Sequence, residues 1–214
     1  SSRRLGDVYK RQVLKNTSPP LCNNMHNTIE SLSSEEKIEL ISFHFSKIMQ
    51  VLGLDITDVS LQQTPLRMAK MYVQELFSGL DPSNFPRITT FPHVENGEHH
   101  EVITIEQVAI RSVCEHHFLP FIGYATIQYI PMGKLIGLSK VHRIVNYFSR
   151  RPQLQEKLTR QIAHSLAEHI VTDHVRVEIY AKHYCVAMRG PSDLNSDTRT
   201  IYSLGFFSEK FKSL

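Results

Sequence analysis

The chain has 214 residues, 41% of them hydrophobic, which suits one domain, or one domain with a helical extension, and excludes wholesale disorder. Its 24 Lys and Arg against 21 Asp and Glu leave a formal charge of +3, too small for a dedicated nucleic-acid binder, and no run approaches the ~18 apolar residues of a membrane span. The 3 cysteines, Cys22, Cys114 and Cys185, are too few and odd in number for a disulfide framework, which points to a reducing compartment with thiols free for metal or catalytic use.

Residues 1–30 carry Pro19-Pro20 and a basic, patternless opening, Ser1-Ser2-Arg3-Arg4, and are expected to form a disordered basic tail. Within it residues 1–12 read as a non-native remnant, with a Ser/Arg-rich transit peptide as the weaker alternative. No apolar stretch there resembles a secretory signal, so a cytoplasmic location is expected. Ser33 followed by Glu36 is a capping box, and behind it Ile38, Ile41, Phe45, Ile48 and Leu52 recur at helical spacing until Gly53. A second helix is expected from Thr64, as N-cap, with Pro65 in its first turn, to Gly79. Pro82, Pro86 and Pro92 then mark the expected boundary between a helical region, 31–92, and a second domain, 93–214.

From Glu101 the period changes to two. Val102, Thr104, Glu106, Val108 and Ile110 alternate against Ile103, Ile105, Gln107, Ala109 and Arg111, which predicts a strand. Further strands are expected at Tyr124–Ile130 and Lys134–Leu138. Ser139 is then expected to cap a helix to Ser149 with Val141, Ile144, Val145 and Phe148 inward. Arg151-Pro152 breaks it and opens a longer helix with Leu154, Leu158, Ile162, Leu166 and Ile170 as its stripe. Two strands, at 174–188 and 198–207, complete an α+β domain with helices on one face of a mainly antiparallel sheet.

The sharpest chemical signal is Cys114-Glu115-His116-His117. A thiolate and an imidazole three residues apart can reach one Zn²⁺, which takes sulfur and nitrogen ligands tetrahedrally. If the last-but-one strand runs through Cys185, His183 and Cys185 share its apolar face and supply a remote ligand. Three protein ligands with an open fourth position are the catalytic pattern. The bland alternative makes both cysteines small buried hydrophobes. Lys140 and Arg143 share one face of a helix's first turn, where a bound polyanion would relieve the opposed dipole, and Arg189 can add a further guanidinium. For two charges on a helix, a solvated basic face is the ordinary reading. Glu156 reads either as a site carboxylate or as simple complement to the dipole of its helix. A zinc-stabilised module gripping nucleic acid through Lys140, Arg143, Arg150, Arg151, Lys157 and Arg160 is a rival reading.

The stretches Thr64-Pro65-Leu66-Arg67-Met68-Ala69-Lys70-Met71, Ser112-Val113-Cys114-Glu115-His116-His117 and Tyr129-Ile130-Pro131 are joined by Ile136-Gly137-Leu138-Ser139-Lys140 and Arg143-Ile144-Val145. Arg151-Pro152-Gln153-Leu154-Gln155-Glu156, His183-Tyr184-Cys185 and Met188-Arg189-Gly190 complete the series. In order and spacing this set resembles the GTP cyclohydrolase I family. The resemblance implies a tunnelling fold: an antiparallel sheet backed by two helices, preceded by an N-terminal helical region. It implies conversion of GTP to 7,8-dihydroneopterin triphosphate and formate, with no nucleic-acid or membrane partner. It implies Zn²⁺ on Cys114, His117 and Cys185, and proton transfer by His116 and His183. Glu156 and Gln155 would read the guanine edge, Lys140, Arg143 and Arg189, with Arg67 from a neighbouring subunit, would hold the triphosphate, and Ser139 would serve the ribose step. The implied assembly is a homodecamer of two pentamers. One departure is Thr198-Arg199-Thr200-Ile201, where the family usually has an apolar residue in place of Arg199 and Ser in place of Ile201.

Overall fold

The capping box at Ser33 forms. In the computed structural model, which describes residues 32–93 and 101–211, the Ser33 hydroxyl accepts from Glu36 N at 3.2 Å and the Glu36 carboxylate accepts from Ser33 N at 2.8 Å. These bonds satisfy two backbone donors that a helix start leaves open. They begin α1 (Ser34–Val51). Ile38 and Met49 are its buried residues, whereas Ile48 and Leu52 of the expected stripe are 51% and 70% exposed. Helix α2 (Thr64–Lys70) starts one residue earlier in its capping than expected: Arg67 N donates to the Gln63 carbonyl, so Gln63 is the cap and Thr64 belongs to the first turn. The expected tail, 1–30, lies outside the described residues. The chain divides into two compact units, the first ending at Ala69 and the second beginning at Lys70.

In the second unit a π-helical turn (Met71–Leu76) and a 3₁₀ turn (Ser78–Leu80) lead into the proline-rich loop. Gly79 is required in that turn. Its N–H donates to the Arg150 carbonyl at 2.8 Å, and a Cβ there would collide with the carbonyl oxygens of Tyr147 and Arg150. The loop ends in β1 (Thr90–Pro92), which pairs antiparallel with β4 (Lys134–Ile136). The segment up to Pro92 is therefore bound into the second unit by strand pairing and is not a linker before it.

The main sheet has the order β5-β2-β3-β6-β7, made of β2 (Ile103–Cys114), β3 (Pro120–Tyr129), β5 (Pro152–Gln153), β6 (Val175–His183) and β7 (Thr198–Ser203). Its neighbours are antiparallel except for the short parallel pair β2–β5. Helices α3 (Leu138–Ser149) and α4 (Gln155–Ile170) share one core with the sheet. Val141, Ile144 and Val145 of α3 and Leu158, Ile162, Leu166 and Ile170 of α4 are fully buried with Ile110, Ile127, Val177 and Ile179. At about 1.5–3 kcal/mol for each such side chain removed from water, this layer holds the helices on the sheet. The α+β architecture read from the sequence is the one observed, and it is the sheet with two backing helices that a tunnelling fold requires.

Four local differences matter for the site. First, β2 does not alternate strictly. Ile105 pairs with Ile127 and Val108 with Ala125, so Glu106 and Gln107 together face one residue of β3 in a β-bulge, with Gln107 at φ 56°. The bulge exchanges the faces of the strand, so that Val108, Ile110, Ser112 and Cys114 turn inward. Second, β6 stops at His183 and the chain turns into α5 (Tyr184–Ala187), so Cys185 sits on a helical turn and not on an extended strand. Third, Gly137 occupies the cap position of α3, and Ser139 lies inside the first turn without a capping bond. Fourth, β7 gives way to a final helix, α6 (Phe206–Phe211), after Gly205 at φ 53°. On β7 the unusual Arg199 finds its partner in Glu178 of β6, whose carboxylate accepts from Arg199 Nε.

Candidate metal centre and active site

Cys114 closes β2 at a tight turn. Phe118 N donates to the Cys114 carbonyl at 2.9 Å and Cys114 N donates to the Leu119 carbonyl at 2.8 Å, with Phe118 in the left-handed region at φ 53°. This turn carries Glu115, His116 and His117. It is fastened to neighbouring elements by Glu115 N, which donates to the Gln153 carbonyl at 3.1 Å, and by Lys157 of α4, whose Nζ lies 3.1 Å from Glu115 Oε1.

The ligand atoms of Cys114, His183 and Cys185 all lie within 4.8 Å of one another. Cys114 is buried and His183 and Cys185 are half-buried. His183 Nδ1 is 4.0 Å from Cys185 Sγ. The imidazole is stacked on the fully buried ring of Phe121, its cross-strand partner, with centroids 4.7 Å apart and planes at 9°. Burial, together with the neighbouring Cys114 sulfur, pushes the Cys185 thiol up, an effect that Arg189 partly offsets. Burial holds the His183 imidazole below its ordinary value against the opposing charge of Glu156. Two sulfurs and one imidazole nitrogen at this spacing are a donor set suited to a soft divalent cation, which would stabilise the Cys185 thiolate that burial disfavours.

The other expected residues are placed as follows. His117 is exposed, and its Nε2 is 2.9 Å from Arg189 Nη1. A guanidinium can only donate, so His117 Nε2 carries a lone pair of the kind a metal uses. His117 is nevertheless outside the Cys114–His183–Cys185 group, in which His183 supplies the imidazole. His116 is exposed beside it, with the two rings 6.3 Å apart. Glu156 is exposed in the first turn of α4, and its charge reaches His183. Gln155, expected to read guanine next to Glu156, is turned inward at 1% exposure, because its amide is taken up by backbone carbonyls of β6 and β7 and by His183. Arg143 lines an open cleft of about 340 Å³ with Asn84, His142, Asn146 and Arg150. Lys140 is half-buried and Ser139 exposed in the first turn of α3, while Arg67 is exposed on α2 in the first unit. The Phe121 stack and the Glu115–Lys157 tie are not legible as motifs. Only the pairing of β3 with β6 brings Phe121 to His183.

The family model described as GTP cyclohydrolase I matches residues 41–213. A protein named GTP cyclohydrolase 1 from Tolumonas auensis is 48% identical over 177 residues, covering 83% of this chain and 81% of its own length. Its namesake from an Enterobacter species is 43% identical over 206 residues, covering 96% of this chain and 90% of its own, and that from Photobacterium profundum is 48% identical over 180 residues, covering 84% and 82%. With the two thiols and their neighbouring imidazole assembled on this sheet, and with a match over most of its length, the chain belongs to the GTP cyclohydrolase I family.

Proposed function

We infer that the chain converts GTP to 7,8-dihydroneopterin triphosphate and formate, opening the imidazole ring at C8, rearranging the ribose and closing a pterin ring. The observation that carries this reading within the family is the gathering of Cys114, Cys185 and His183 at one end of the sheet.

Cys114 and Cys185 are the thiolates that would hold Zn²⁺. A catalytic zinc takes three protein ligands and keeps one position open, so either His117 or His183 completes the set and the other does not. We assign the ligand to His117, following the family pattern, and leave His183 to handle protons. When bound, the ion acts as a Lewis acid that lowers the pKa of a water to about 7. His183, with His116, exchanges protons with the purine nitrogen and the opening ring, a task suited to imidazole near neutral pH. Glu156 accepts hydrogen bonds from the ring N–H and amine of guanine. Lys140, Arg143 and Arg189, with Arg67 supplied by a neighbouring subunit, hold the triphosphate, and Ser139 lies at the ribose.

Among the described residues no helix is long and apolar enough to cross a membrane. The proposed location is cytoplasmic, and the proposed assembly is a decamer of two pentamers built by sheet edges. Two features support assembly: β7 pairs only with β6 among the described residues, and α1 exposes Phe43, Ile48 and Val51 at 45%, 51% and 72%.

The test is incubation of the purified protein with GTP, following formate and the fluorescent pterin formed on oxidation. Formation of both, abolished by chelation and restored by zinc, is expected. Absence of formate from zinc-loaded protein overturns the reading.

A further inference from the structure

The hydrogen bonds around Gln155 determine which way its amide points. Its Nε2 is 3.1 Å from the Ile179 carbonyl and 3.0 Å from the Thr198 carbonyl. Neither oxygen can donate, so the group facing them is the NH₂. A third neighbour, Thr200 Oγ1, is 3.1 Å from the same nitrogen. Thr159 Oγ1 donates to the main-chain carbonyl of Gln155 at 2.7 Å and so has a lone pair left to accept the Thr200 hydroxyl, 2.7 Å away. Thr200 is thereby an acceptor toward Gln155. The two amide hydrogens thus face three acceptors, and turning the amide over would set its oxygen against the Ile179 and Thr198 carbonyls. Gln155 Oε1 must then face His183, and His183 Nε2, 2.7 Å away, must be the donor. The other nitrogen, Nδ1, keeps its lone pair and is turned toward Cys185. Phe121 stacks on the ring and fixes the plane in which both nitrogens lie.

We propose that Gln155 is a positioning residue for His183: its buried amide, itself oriented by Thr200 and Thr159, keeps the proton on Nε2 and presents Nδ1 as the nitrogen that works in the site. This rests on the GTP cyclohydrolase reading and adds to it a residue that acts through His183 and not on the purine. Outer residues that orient a working imidazole are typically worth about 10–100-fold.

Two measurements on the full chain test it. The first is solid-state ¹⁵N NMR of histidine-labelled protein, with the His183 signals assigned by their loss in His183→Ala. The expected spectrum has the proton on Nε2 of His183. A proton on Nδ1 in the unmutated neutral ring overturns the proposal, whatever the variants do. The second is steady-state kinetics of zinc-loaded Gln155→Leu against the unmutated enzyme, with zinc content and oligomer size as checks on folding. A fall in kcat of about 10–100-fold with KM for GTP within roughly twofold is expected. A raised KM with unchanged kcat makes Gln155 a guanine contact and overturns the proposal. If the unmutated enzyme releases no formate from GTP, the functional reading itself fails, and the spectrum still decides the orientation of His183.

Discussion

Cys114 at the end of β2 and Cys185 in the helical turn after β6 bring their sulfurs within 4.8 Å of each other. Two sulfurs that close are well matched to one divalent cation, and burial disfavours the Cys185 thiolate without one. One zinc per chain is expected, lost in Cys114→Ala and in Cys185→Ala. Metal analysis after dialysis checks this, and a fully active Cys185→Ala enzyme contradicts it.

His117, on the turn after Cys114, and His183, grouped with the thiols, separate by metal content. His117→Ala should lose zinc, whereas His183→Ala should retain it and still lose turnover. His116→Ala should behave like His183→Ala. General acid–base catalysis is worth about 10²–10⁴-fold, so both should fall in that range. Zinc retained in His117→Ala and lost in His183→Ala would transfer the ligand role to His183, whose imidazole already lies in the group with both sulfurs.

Much of the scaffold is legible in the sequence because its elements have local causes. The Ser33–Glu36 box and the Leu158–Ile162–Leu166–Ile170 stripe need only residue spacing, and both are realised. The bulge at Glu106–Gln107 is not legible, because its register depends on the partner strand β3. Periodicity alone extends β6 through Cys185, while the chain in fact turns at Tyr184. The site is legible as a set of residue types, since Cys114, His183 and Cys185 stand out as metal ligands or acids. Their pairing is not. Gln155 looks like a polar first-turn residue of α4, and only the approach of β6 and β7 shows its amide to be fully engaged inside.

Purine choice should reside in Glu156, exposed in the first turn of α4 with its carboxylate free of the hydrogen-bonded circuit beneath it. A carboxylate accepts from the N–H and amine of guanine, whereas adenine presents an acceptor where guanine has that N–H. Leaving a buried polar group unpaired costs about 1–3 kcal/mol, and more when charged. ATP should therefore be a very poor substrate, and Glu156→Gln should lose GTP turnover sharply. Lys140→Ala and Arg143→Ala should mainly raise KM for GTP. Steady-state assays on GTP, ATP and guanosine check all three, and comparable turnover of ATP and GTP would defeat the assignment.

Arg199, the departure from the family pattern on β7, should couple stability to pH through Glu178. Arg199 Nε donates to one oxygen of Glu178, and Arg176 Nη2 donates to the other at 2.6 Å. Arg176 Nη1 also reaches Gln128 Oε1 on β3 at 3.0 Å, so the chain of contacts spans three strands. The Arg199 bond is the main cause holding the Glu178 carboxyl below its ordinary 4.5, with Arg176 adding to it against the effect of burial. A carboxyl depressed in the folded state binds its proton more readily in the unfolded chain. Its contribution is therefore fully present above 4.5 and is lost as pH falls through the lower folded value. Solvent screens a pair this exposed, so its contribution to stability is modest. Glu178→Gln and Arg199→Leu should each lower the denaturant midpoint at neutral pH, and the difference from the unmutated protein should vanish in acid below the folded value. A midpoint difference that stays constant from neutral pH into that range would show that Glu178 acts through packing and not through its charge.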